Sequence, residues 1–269
     1  MNPKTQAKLR HLQQLLKEMK SCAIAYSGGV DSTFLITIAY KELGDHALAV
    51  TATSSTYPIR EMKEAEQYAK TLGIPYVVIH SEELDIDGFA HNPPNRCYYC
   101  KKELFQKILQ IANEHHLSYV LDGSNADDTR DYRPGTKARD ELGVRSPLQD
   151  VGLTKQEIRE LSKSMHLSTA EKPAFACLAS RFPYGIKITK ERLKQVESSE
   201  EFLFSLGIRQ CRVRYHDNIA RIEVASDDFQ TIFMHAQRIV KRFKKLGFTY
   251  ITLDLEGYRT GSLNEVLNK

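Results

Sequence analysis

The sequence has few of the features that mark secreted, membrane or nucleic-acid-binding proteins. Only 5 of its 269 residues are cysteine, an odd number that suits thiols or metal ligands better than a disulfide framework. No apolar run approaches the roughly 20 residues of a membrane span, and the start of the chain lacks the apolar segment of a signal peptide. The net charge is only +4, which makes nucleic acid an unexpected partner. We therefore expect a cytoplasmic protein that does not bind a membrane.

Apolar runs of strand length alternate with helical patterns through the first part of the chain. This alternation predicts an α/β fold with a doubly wound parallel sheet, whose ligands bind at the carboxyl ends of the strands. A capping-box pattern at 154–157 predicts one further helix, to about residue 165. The predicted helices are 1–20, 31–43, 58–72 and 101–115, and the predicted strands are 23–26, 47–52, 76–79 and 118–121.

The pattern changes near residues 185–189, where we expect a domain boundary. The first domain is predicted over 1–187 and a smaller α+β domain over 188–269. The predicted elements of the second domain are helices 190–206 and 229–246 and strands 212–215, 220–224 and 250–255.

The segment from Ser27 to Ser32, with the sequence SGGVDS, follows the first predicted strand and opens a predicted helix. Its two glycines let the backbone approach an anion without a Cβ in the way, and the N–H groups of the helix start point at it. This arrangement is typical of a phosphate site, and a plain turn is the alternative. Since no Lys-Ser or Lys-Thr pair follows, the loop differs from those that hold a β/γ-phosphate for kinase or ATPase chemistry.

Carboxylates stand in and near this loop. Asp31 cannot itself bind phosphate, so its useful role would be to hold Mg²⁺ against it; an ordinary acidic residue in the first turn of a helix is the alternative. The loop DGSNADD, residues 122–128, follows another predicted strand and is expected at the same edge of the sheet. It fits either the nucleotide site or a solvated loop.

Cys97 and Cys100 form a CxxC pair, for which several interpretations stay open. A redox pair normally opens the first helix of its own fold, and a zinc site lacks a second CxxC or HxxxH in the sequence. With Cys177 as a third thiolate the pair could hold a cubane iron–sulfur cluster, leaving one iron open for an extra sulfide. Buried structural cysteines are the simplest alternative, and we interpret Cys22 and Cys211 as such packing residues.

Cys177 lies in the segment KPAFACLASRFPYG, residues 172–185, which lacks the charge density of a surface linker. A cysteine a few residues before an arginine, here Arg181, favours a nucleophile or a metal ligand.

Residues 217–218 suit the two-residue turn of a β-hairpin. A turn there places Arg214 opposite Arg221 and Arg212 opposite Glu223, with all four side chains on one face. Facing like charges cost stability, so we expect this arginine face to bind a phosphate or carboxylate. A solvated face with Arg212 paired to Glu223 is the alternative.

Together these motifs resemble one family, the LarE sulfur transferases of the PP-loop ATP pyrophosphatase superfamily. The resemblance covers nearly the whole chain. SGGxDS is shared across the superfamily, whereas DYRPG at 131–135 and SRFPYG at 180–185 are more specific. The remaining matches are 121–123, 212–214, 220–223 and 252–259. The resemblance implies a fold like that of the adenine nucleotide alpha hydrolases, and a homo-oligomer.

The resemblance also implies an activity. Mg-ATP would adenylate a carboxylate of pyridinium-3,5-biscarboxylic acid mononucleotide, and sulfur would replace one oxygen to give a thiocarboxylate for a nickel-pincer cofactor. It assigns ATP and pyrophosphate to Ser27, Gly28, Gly29, Asp31, Ser32, Thr53 and Gly123. It assigns the substrate to Ser180, Arg181, Arg212 and Arg214. It assigns a divalent metal to Glu200, Glu223 and Asp228.

The family has two sulfur sources. Either Cys177 gives up its own sulfur and becomes dehydroalanine, or three cysteines hold a [4Fe-4S] cluster that delivers an extra sulfide. Because sacrificial members lack the CxxC pair, we expect Cys97, Cys100 and Cys177 to hold a cluster that a sulfide donor replenishes. Catalysis would then depend on Cys177 and Asp31.

Three other functions would share the glycine loop. A tRNA-thiolating PP-loop enzyme usually needs a broad basic face or an added RNA-binding module. An ammonia-using ligase would not need Cys177. A non-catalytic nucleotide sensor would release no pyrophosphate.

Overall fold

The computed structural model describes residues 2–86, 88–130, 134–173, 176–259 and 261–267. The chain divides into two compact units, one of 1–82 and 95–175 and the other of 83–94 and 176–269. The second unit thus takes in 83–94 and 176–187 besides the smaller domain that the sequence predicts, and the boundary at 187 stays a prediction. Residues 131–133 of the DYRPG motif, and 174–175 before Cys177, lie outside the described residues.

The first unit is built around a parallel four-stranded sheet in the order β3-β2-β1-β4. The predicted doubly wound α/β fold is therefore confirmed. Two short helices, α5 and α6, were not predicted, although Pro147 at the first position of α6 is a typical start signal. The elements are α1 (Pro3–Met19), β1 (Cys22–Ala25), α2 (Val30–Leu43), β2 (Ala47–Thr53), α3 (Ile59–Leu72), β3 (Tyr76–His80), α4 (Arg96–Glu114), β4 (Tyr119–Leu121), α5 (Gly135–Glu141), α6 (Pro147–Asp150) and α7 (Lys155–Ser164).

Both faces of this sheet are covered. Successive residues of β1 point to opposite faces, so Cys22 and Ile24 pack in the core under α1 and α2 while Ala23 packs with Phe105 and Ile108 of α4. Burial on both faces explains why the strands are continuous apolar runs rather than alternating ones. The predicted packing role of Cys22 is confirmed by its complete burial.

The strand order creates one natural ligand position. β2 lies on one side of β1 and β4 on the other, so the connections that leave β1 and β4 diverge. In open α/β sheets the crevice at such a switch point, outside the carboxyl ends of the strands, is where ligands bind. The SGGVDS loop follows β1, and the loop that begins at Asp122 follows β4.

The second unit contains a three-stranded sheet in the order β5-β6-β7, with β5 and β6 antiparallel and β6 and β7 parallel. The predicted smaller α+β region is confirmed. Its elements are α8 (Lys190–Ser205), β5 (Cys211–His216), β6 (Ile219–Val224), α9 (Phe229–Met234), α10 (Ala236–Lys245) and β7 (Tyr250–Leu253), and a 3₁₀ helix at Leu178–Arg181 precedes them.

The single helix predicted over 229–246 is wrong. The helix stops at Met234 and a new one begins at Ala236, because the backbone of His235, with φ −105° and ψ 11°, leaves the helical conformation. Aromatic and β-branched residues dominate α9, and they are weaker helix formers than the lysines and arginines of α10. None of the helices in the described ranges is both long enough and apolar enough to cross a bilayer.

The hairpin of the second unit has the predicted register. Arg212 pairs with Glu223 and Arg214 with Arg221 across β5 and β6. Asp217 has φ +52°, as the first central residue of a tight hairpin turn requires. The opposite face of the hairpin is buried, including Val213 and Ile222.

Candidate functional site

The glycine loop is shaped by a close approach between its backbone and α3. Gly28 has φ +65°, and a Cβ added there would lie 2.8 Å from the Cβ of Ala65. Only glycine fits this position without a shift of α3. Gly29 caps α2 without a side-chain hydrogen bond, so the first-turn N–H groups of α2 lack the usual side-chain cap. This is the arrangement that binds an anion at a helix N-terminus.

Two serines brace the loop from inside. The Oγ atoms of Ser27 and Ser32 are 3.1 Å apart, and the Ser32 hydroxyl also donates to the Gly29 carbonyl at 3.2 Å. The Tyr57 hydroxyl donates to the Ser27 carbonyl. A Cβ on Gly123, after β4, would lie 3.0 Å from the Ser32 amide nitrogen, so the loops after β1 and β4 meet at this point.

Asp31 has two carboxylate oxygens in different surroundings. Its Oδ2 accepts a hydrogen bond from the ammonium group of Lys155, whereas its Oδ1 is buried and accepts none within the described part of the chain. Burial raises the pKa of Asp31, and the charge of Lys155 opposes that rise. A buried carboxylate oxygen with no donor is chemically suited to a cation.

Lys155 is a site residue that the sequence analysis missed. It is the first residue of α7, and its backbone N–H also donates to Asp127 Oδ2 at 2.8 Å. The predicted capping box of Thr154 and Glu157 is confirmed, and it places Lys155 at the helix start. The only sequence signal was therefore a lysine directly after a predicted helix cap.

The remaining residues predicted to bind ATP lie at the same edge of the sheet. Thr53 is the last residue of β2, and its hydroxyl donates to the Ile79 carbonyl at 3.4 Å. Asp122, which follows β4, accepts bonds from the Ser124 amide at 3.1 Å and the Ser146 hydroxyl at 2.6 Å. Asp122 therefore holds its own loop in shape, and the backbone at Gly123 is the part that approaches α2.

The CxxC pair lies on a helix and not in a loop before one. α4 begins at Arg96, five residues earlier than predicted, so Cys97 and Cys100 are three residues apart on one helical face. Neither cysteine is in a disulfide bond; Cys97 is exposed and Cys100 half-buried. A Cβ on Gly135 would lie 3.4 Å from the Cys97 carbonyl oxygen, so the glycine of the DYRPG motif packs against this turn.

In the second unit, Arg181 makes several hydrogen bonds to the segment that carries Cys177. Its side chain is fully buried and pairs with both oxygens of Glu200, each at 2.9 Å. Its Nη1 donates to the carbonyls of Ala176 at 2.7 Å and Cys177 at 2.9 Å. Burial alone would lower the pKa of Arg181, but the Glu200 carboxylate raises it above its ordinary value.

Arg214 makes a second pair of the same kind. Its Nε and Nη2 donate to Glu223 at 3.0 and 2.7 Å, and its Nη1 donates to the Ser180 carbonyl at 2.7 Å. Glu223 is fully buried and also accepts bonds from Arg221 and Ser262. The ion-pair partner of Arg214 is thus not the residue directly opposite it. Glu223 lies diagonal to Arg214 and directly opposite Arg212.

Arg212 has a different environment from the other two. It is buried, it donates to the Cys211 carbonyl at 2.7 Å, and its guanidinium stacks 5.2 Å from the centre of the Tyr258 ring. Burial lowers the pKa of Arg212, and the nearby positive charge of Arg181 lowers it further. The surroundings of Arg212 are therefore positively charged, which favours an anion nearby.

These contacts revise two expectations. The arginine face is not simply solvated, because Glu223 neutralises Arg214 from within the sheet; its binding of a phosphate or carboxylate stays a prediction. Glu200 and Glu223, predicted as metal ligands, are each engaged by an arginine, and Asp228 lies in a short 3₁₀ turn. Among the described residues, no group of three His, Cys, Asp or Glu side chains is arranged to hold a metal ion.

Two known proteins are similar to this chain over nearly its full length. An uncharacterized protein of Synechocystis sp. is 43% identical over 266 residues, 98% of this chain and 99% of that protein. The pyridinium-3,5-bisthiocarboxylic acid mononucleotide synthase of Lactiplantibacillus plantarum is 37% identical over 255 residues, 94% of this chain and 92% of the synthase.

A tRNA-specific 2-thiouridylase of Magnetococcus marinus is 28% identical over 211 residues, 63% of this chain and 58% of that enzyme. No protein-family model matches the chain. The partial similarity fits a shared PP-loop superfamily, whereas the similarity to the Lactiplantibacillus protein extends over nearly the full length of both chains. The chain belongs to the family of the pyridinium-3,5-bisthiocarboxylic acid mononucleotide synthases, the LarE family that its motifs predict.

Proposed function

We propose that this protein is an ATP-dependent sulfur transferase that converts a carboxylate of pyridinium-3,5-biscarboxylic acid mononucleotide into a thiocarboxylate for a nickel-pincer cofactor. The observation that carries the proposal is the nearly full-length similarity to the Lactiplantibacillus synthase. The glycine loop at the switch point of the first unit supports it independently, because it is suited to the phosphates of a nucleotide.

The proposed reaction has two steps. First, a carboxylate oxygen of the substrate attacks the α-phosphorus of ATP and pyrophosphate leaves, which gives an acyl adenylate. Second, a sulfur nucleophile attacks the acyl carbon, and AMP leaves with one former carboxylate oxygen. The first-turn N–H groups of α2 and the glycines before them would bind the departing pyrophosphate.

Asp31 fits a Mg²⁺ ion that accompanies the nucleotide. Its buried Oδ1 accepts no bond in the described part of the chain, and oxygen ligands are those that Mg²⁺ prefers. When bound, the ion would neutralise charge that develops on the phosphates. Lys155, on the other oxygen, would keep Asp31 in place and add a positive charge beside them.

Arg212 is a candidate for the substrate phosphate. Burial and the nearby charge of Arg181 make its surroundings electrostatically favourable for an anion. We keep Ser180 as a further candidate for the substrate. The divalent metal on Glu200, Glu223 and Asp228 stays a prediction, and it would require those glutamates to leave their arginines.

The proposed iron–sulfur cluster rests on the donor chemistry of the three cysteines, because thiolates are the ligands that such clusters take. Cys97 and Cys100 lie one helical turn apart at the N-terminal end of α4, where the helix dipole favours thiolates. Cys177 would be the third ligand of a [4Fe-4S] cluster, which when bound would supply sulfide for the second step. A sulfide donor, a homo-oligomer and a cytoplasmic location belong to the same proposal.

The deciding experiment is an anaerobic reaction of iron- and sulfide-reconstituted protein with Mg-ATP and the biscarboxylate mononucleotide. We expect pyrophosphate release, more than one thiocarboxylate per chain when sulfide is supplied, and an unchanged intact mass. Conversion of Cys177 to dehydroalanine, with product stopping at one per chain, would show that the sulfur comes from Cys177 itself and not from a cluster. Turnover of tRNA in place of the mononucleotide would contradict the proposed substrate.

A pair of aspartate variants tests the nucleotide site in the same assay. Asp31→Asn removes one negative charge from the glycine loop, and we expect pyrophosphate release to fall at least about 100-fold, as for loss of a charged group acting in the transition state. Asp45→Asn makes the same chemical change at an exposed position in a short 3₁₀ turn. Equal activities of the two variants would remove Asp31 from the mechanism.

A further inference from the structure

The main chain around Cys177 is held by two buried arginines. Arg181 Nη1 donates to the carbonyls of Ala176 and Cys177, and Arg214 Nη1 donates to the carbonyl of Ser180. The Ser180 amide and hydroxyl add bonds of 3.0 and 2.8 Å to the Cys177 carbonyl. The peptide groups on both sides of the Cys177 sulfur are therefore fixed by guanidinium groups that have little freedom of their own.

Each arginine is itself held by a glutamate on a regular element. Glu200 lies on α8, and its Oε1 accepts both Arg181 Nε and the Val213 amide, each at 2.9 Å. β5 is an edge strand, so this carboxylate satisfies an amide that has no strand partner. Glu223 lies on β6, between β5 and β7. The Cys177 segment is thus tied through its arginines to a helix and a sheet.

Because these ion pairs are buried, a contribution to stability does not by itself explain why they are present. The Arg181 side chain is 0% exposed and that of Glu223 is 0% exposed. Buried ion pairs usually contribute no more stability than apolar side chains of the same volume, because desolvation offsets the attraction. What apolar side chains could not supply is the planar fork that binds a carboxylate and a main-chain carbonyl at once.

We propose that Arg181 and Arg214, each with its glutamate, are positioning residues that hold the Cys177 main chain and so give the Cys177 sulfur a single position. This proposal rests on the proposed function, because the position of the Cys177 sulfur matters only if Cys177 takes part in sulfur transfer. It gives Arg181, Arg214, Glu200 and Glu223 a role in holding the cysteine segment.

The test compares variants by the rate at which iodoacetamide alkylates Cys177 in protein that has not been reconstituted with iron and sulfide, without ATP or substrate. Exposed Cys97 is the internal reference, and buried Cys22 reports unfolding. Arg181→Met with Glu200→Met removes the pair without leaving an unpaired buried charge. Arg181→Lys keeps the charge but lacks the fork. In both we expect the ratio of Cys177 to Cys97 alkylation to rise at least tenfold while Cys22 stays unmodified.

Arg221→Met is the matched control, because Arg221 pairs with Glu223 and Asp254 and its bonds do not reach the Cys177 segment. We expect its alkylation ratio to stay within twofold of the parent protein. If the ratio is equally unchanged in Arg181→Lys and in the double variant, with both folded, the positioning role is wrong. A thermal melt of each variant, together with the Cys22 signal, establishes that it is folded.

Binding of the biscarboxylate mononucleotide separates positioning from substrate contact. In the folded double variant we expect its dissociation constant to stay within about threefold while thiocarboxylate per chain falls at least tenfold. Loss of binding with an unchanged alkylation ratio would make Arg181 a substrate residue and overturn the proposal. If the parent protein makes no thiocarboxylate but the ratio still rises in the variants, the proposed function fails and the positioning role stands.

Discussion

The ammonium group of Lys155, at the first position of α7, bonds one carboxylate oxygen of Asp31, in the first turn of α2. The two residues are 124 positions apart in the sequence. Their contact joins α2, which follows the glycine loop, to α7. It also leaves Asp31 with one engaged and one unengaged oxygen within the described residues.

Lys155→Met should destabilise the protein in a pH-dependent way. Loss of the cation leaves a buried carboxylate without a charged donor, at a cost of about 1 to 3 kcal/mol. Burial already raises the pKa of Asp31 above 3.8, and removal of Lys155 raises it further. Because the folded state then holds its proton more tightly than the unfolded state, stability should fall as pH rises from about 4 through the folded pKa.

Chemical denaturation between pH 4 and pH 8 measures this effect. Asp31→Asn in the Lys155→Met background supplies the control, since an amide at this position does not titrate. We expect the added pH dependence to disappear in the double variant. Parallel curves for Lys155→Met and the parent protein would contradict the coupling between the two residues.

Gly28→Ala should lose both stability and ATP binding. The positive φ costs an alanine roughly 1 to 2 kcal/mol. The contact of 2.8 Å with the Ala65 Cβ adds a strain of about 1 to 3 kcal/mol. Because relief of the strain moves the phosphate loop, we expect the ATP dissociation constant to rise at least tenfold, measured by isothermal titration calorimetry.

Two further variants separate the two costs. Gly44 has φ +57° with nothing within 4 Å of its added Cβ, so Gly44→Ala carries the backbone cost alone and should leave ATP binding unchanged. Ala65→Gly removes the facing methyl group and should restore part of the affinity of Gly28→Ala. Failure of that rescue would mean that the contact with α3 does not set the position of the loop.

Glu157 should stabilise the protein only while it is ionised. Burial would raise the pKa of Glu157, but hydrogen bonds from Lys8 and from Thr154 outweigh it and bring the pKa below 4.5. The stabilisation is therefore complete above pH 4.5 and is lost as pH falls through the lowered folded pKa. Unfolding free energies of Glu157→Gln and the parent protein should converge as the pH falls to about 3.

Glu157→Ala is the informative comparison for the capping box. Glutamine can still accept the Thr154 amide bond, whereas alanine cannot, and loss of a helix cap costs about 0.5 to 2 kcal/mol. We expect Glu157→Ala to be less stable than Glu157→Gln at every pH. Equal stability of the two variants would show that the charge paired with Lys8, and not the cap, accounts for the effect.

Cys97→Ala should abolish cluster assembly and spare the nucleotide site. The exposed thiol contributes little to the core, so the fold and ATP affinity should be unchanged while iron content after reconstitution falls to background. Cys22→Ala is the matched control: Cys22 is fully buried and burial raises the pKa of its thiol to about 12, so it should not bind iron. Iron content unchanged in Cys97→Ala would remove Cys97 from the proposed cluster.

Local sequence patterns predicted much of the fold. The register of Arg212 with Glu223 followed from a two-residue turn and the alternation of side chains. The capping box of Thr154 and the strand–glycine–helix order of the loop are likewise written in neighbouring residues. The break of α9 at His235 was missed because weak helix propensities only marginally disfavour one continuous helix.

The sequence named candidate site residues but not the contacts between them. The acidic loop residue Asp31 was recognised, but its partner Lys155 lies on a helix distant in sequence. Arg214 was recognised, but its carboxylate is the diagonal Glu223, because long side chains reach beyond the residue directly opposite.

The sequence by itself determined the succession of the strands along the chain, the glycine loop at the start of α2 and the family of the protein. Each of these depends on residue types at short spacings, where backbone geometry leaves few choices. Only the tertiary structure decided which charged side chains are neutralised by another side chain of the same protein. Arg181 and Glu200 are 19 positions apart on different elements, and their pairing arises because burial leaves an unpaired charge too costly.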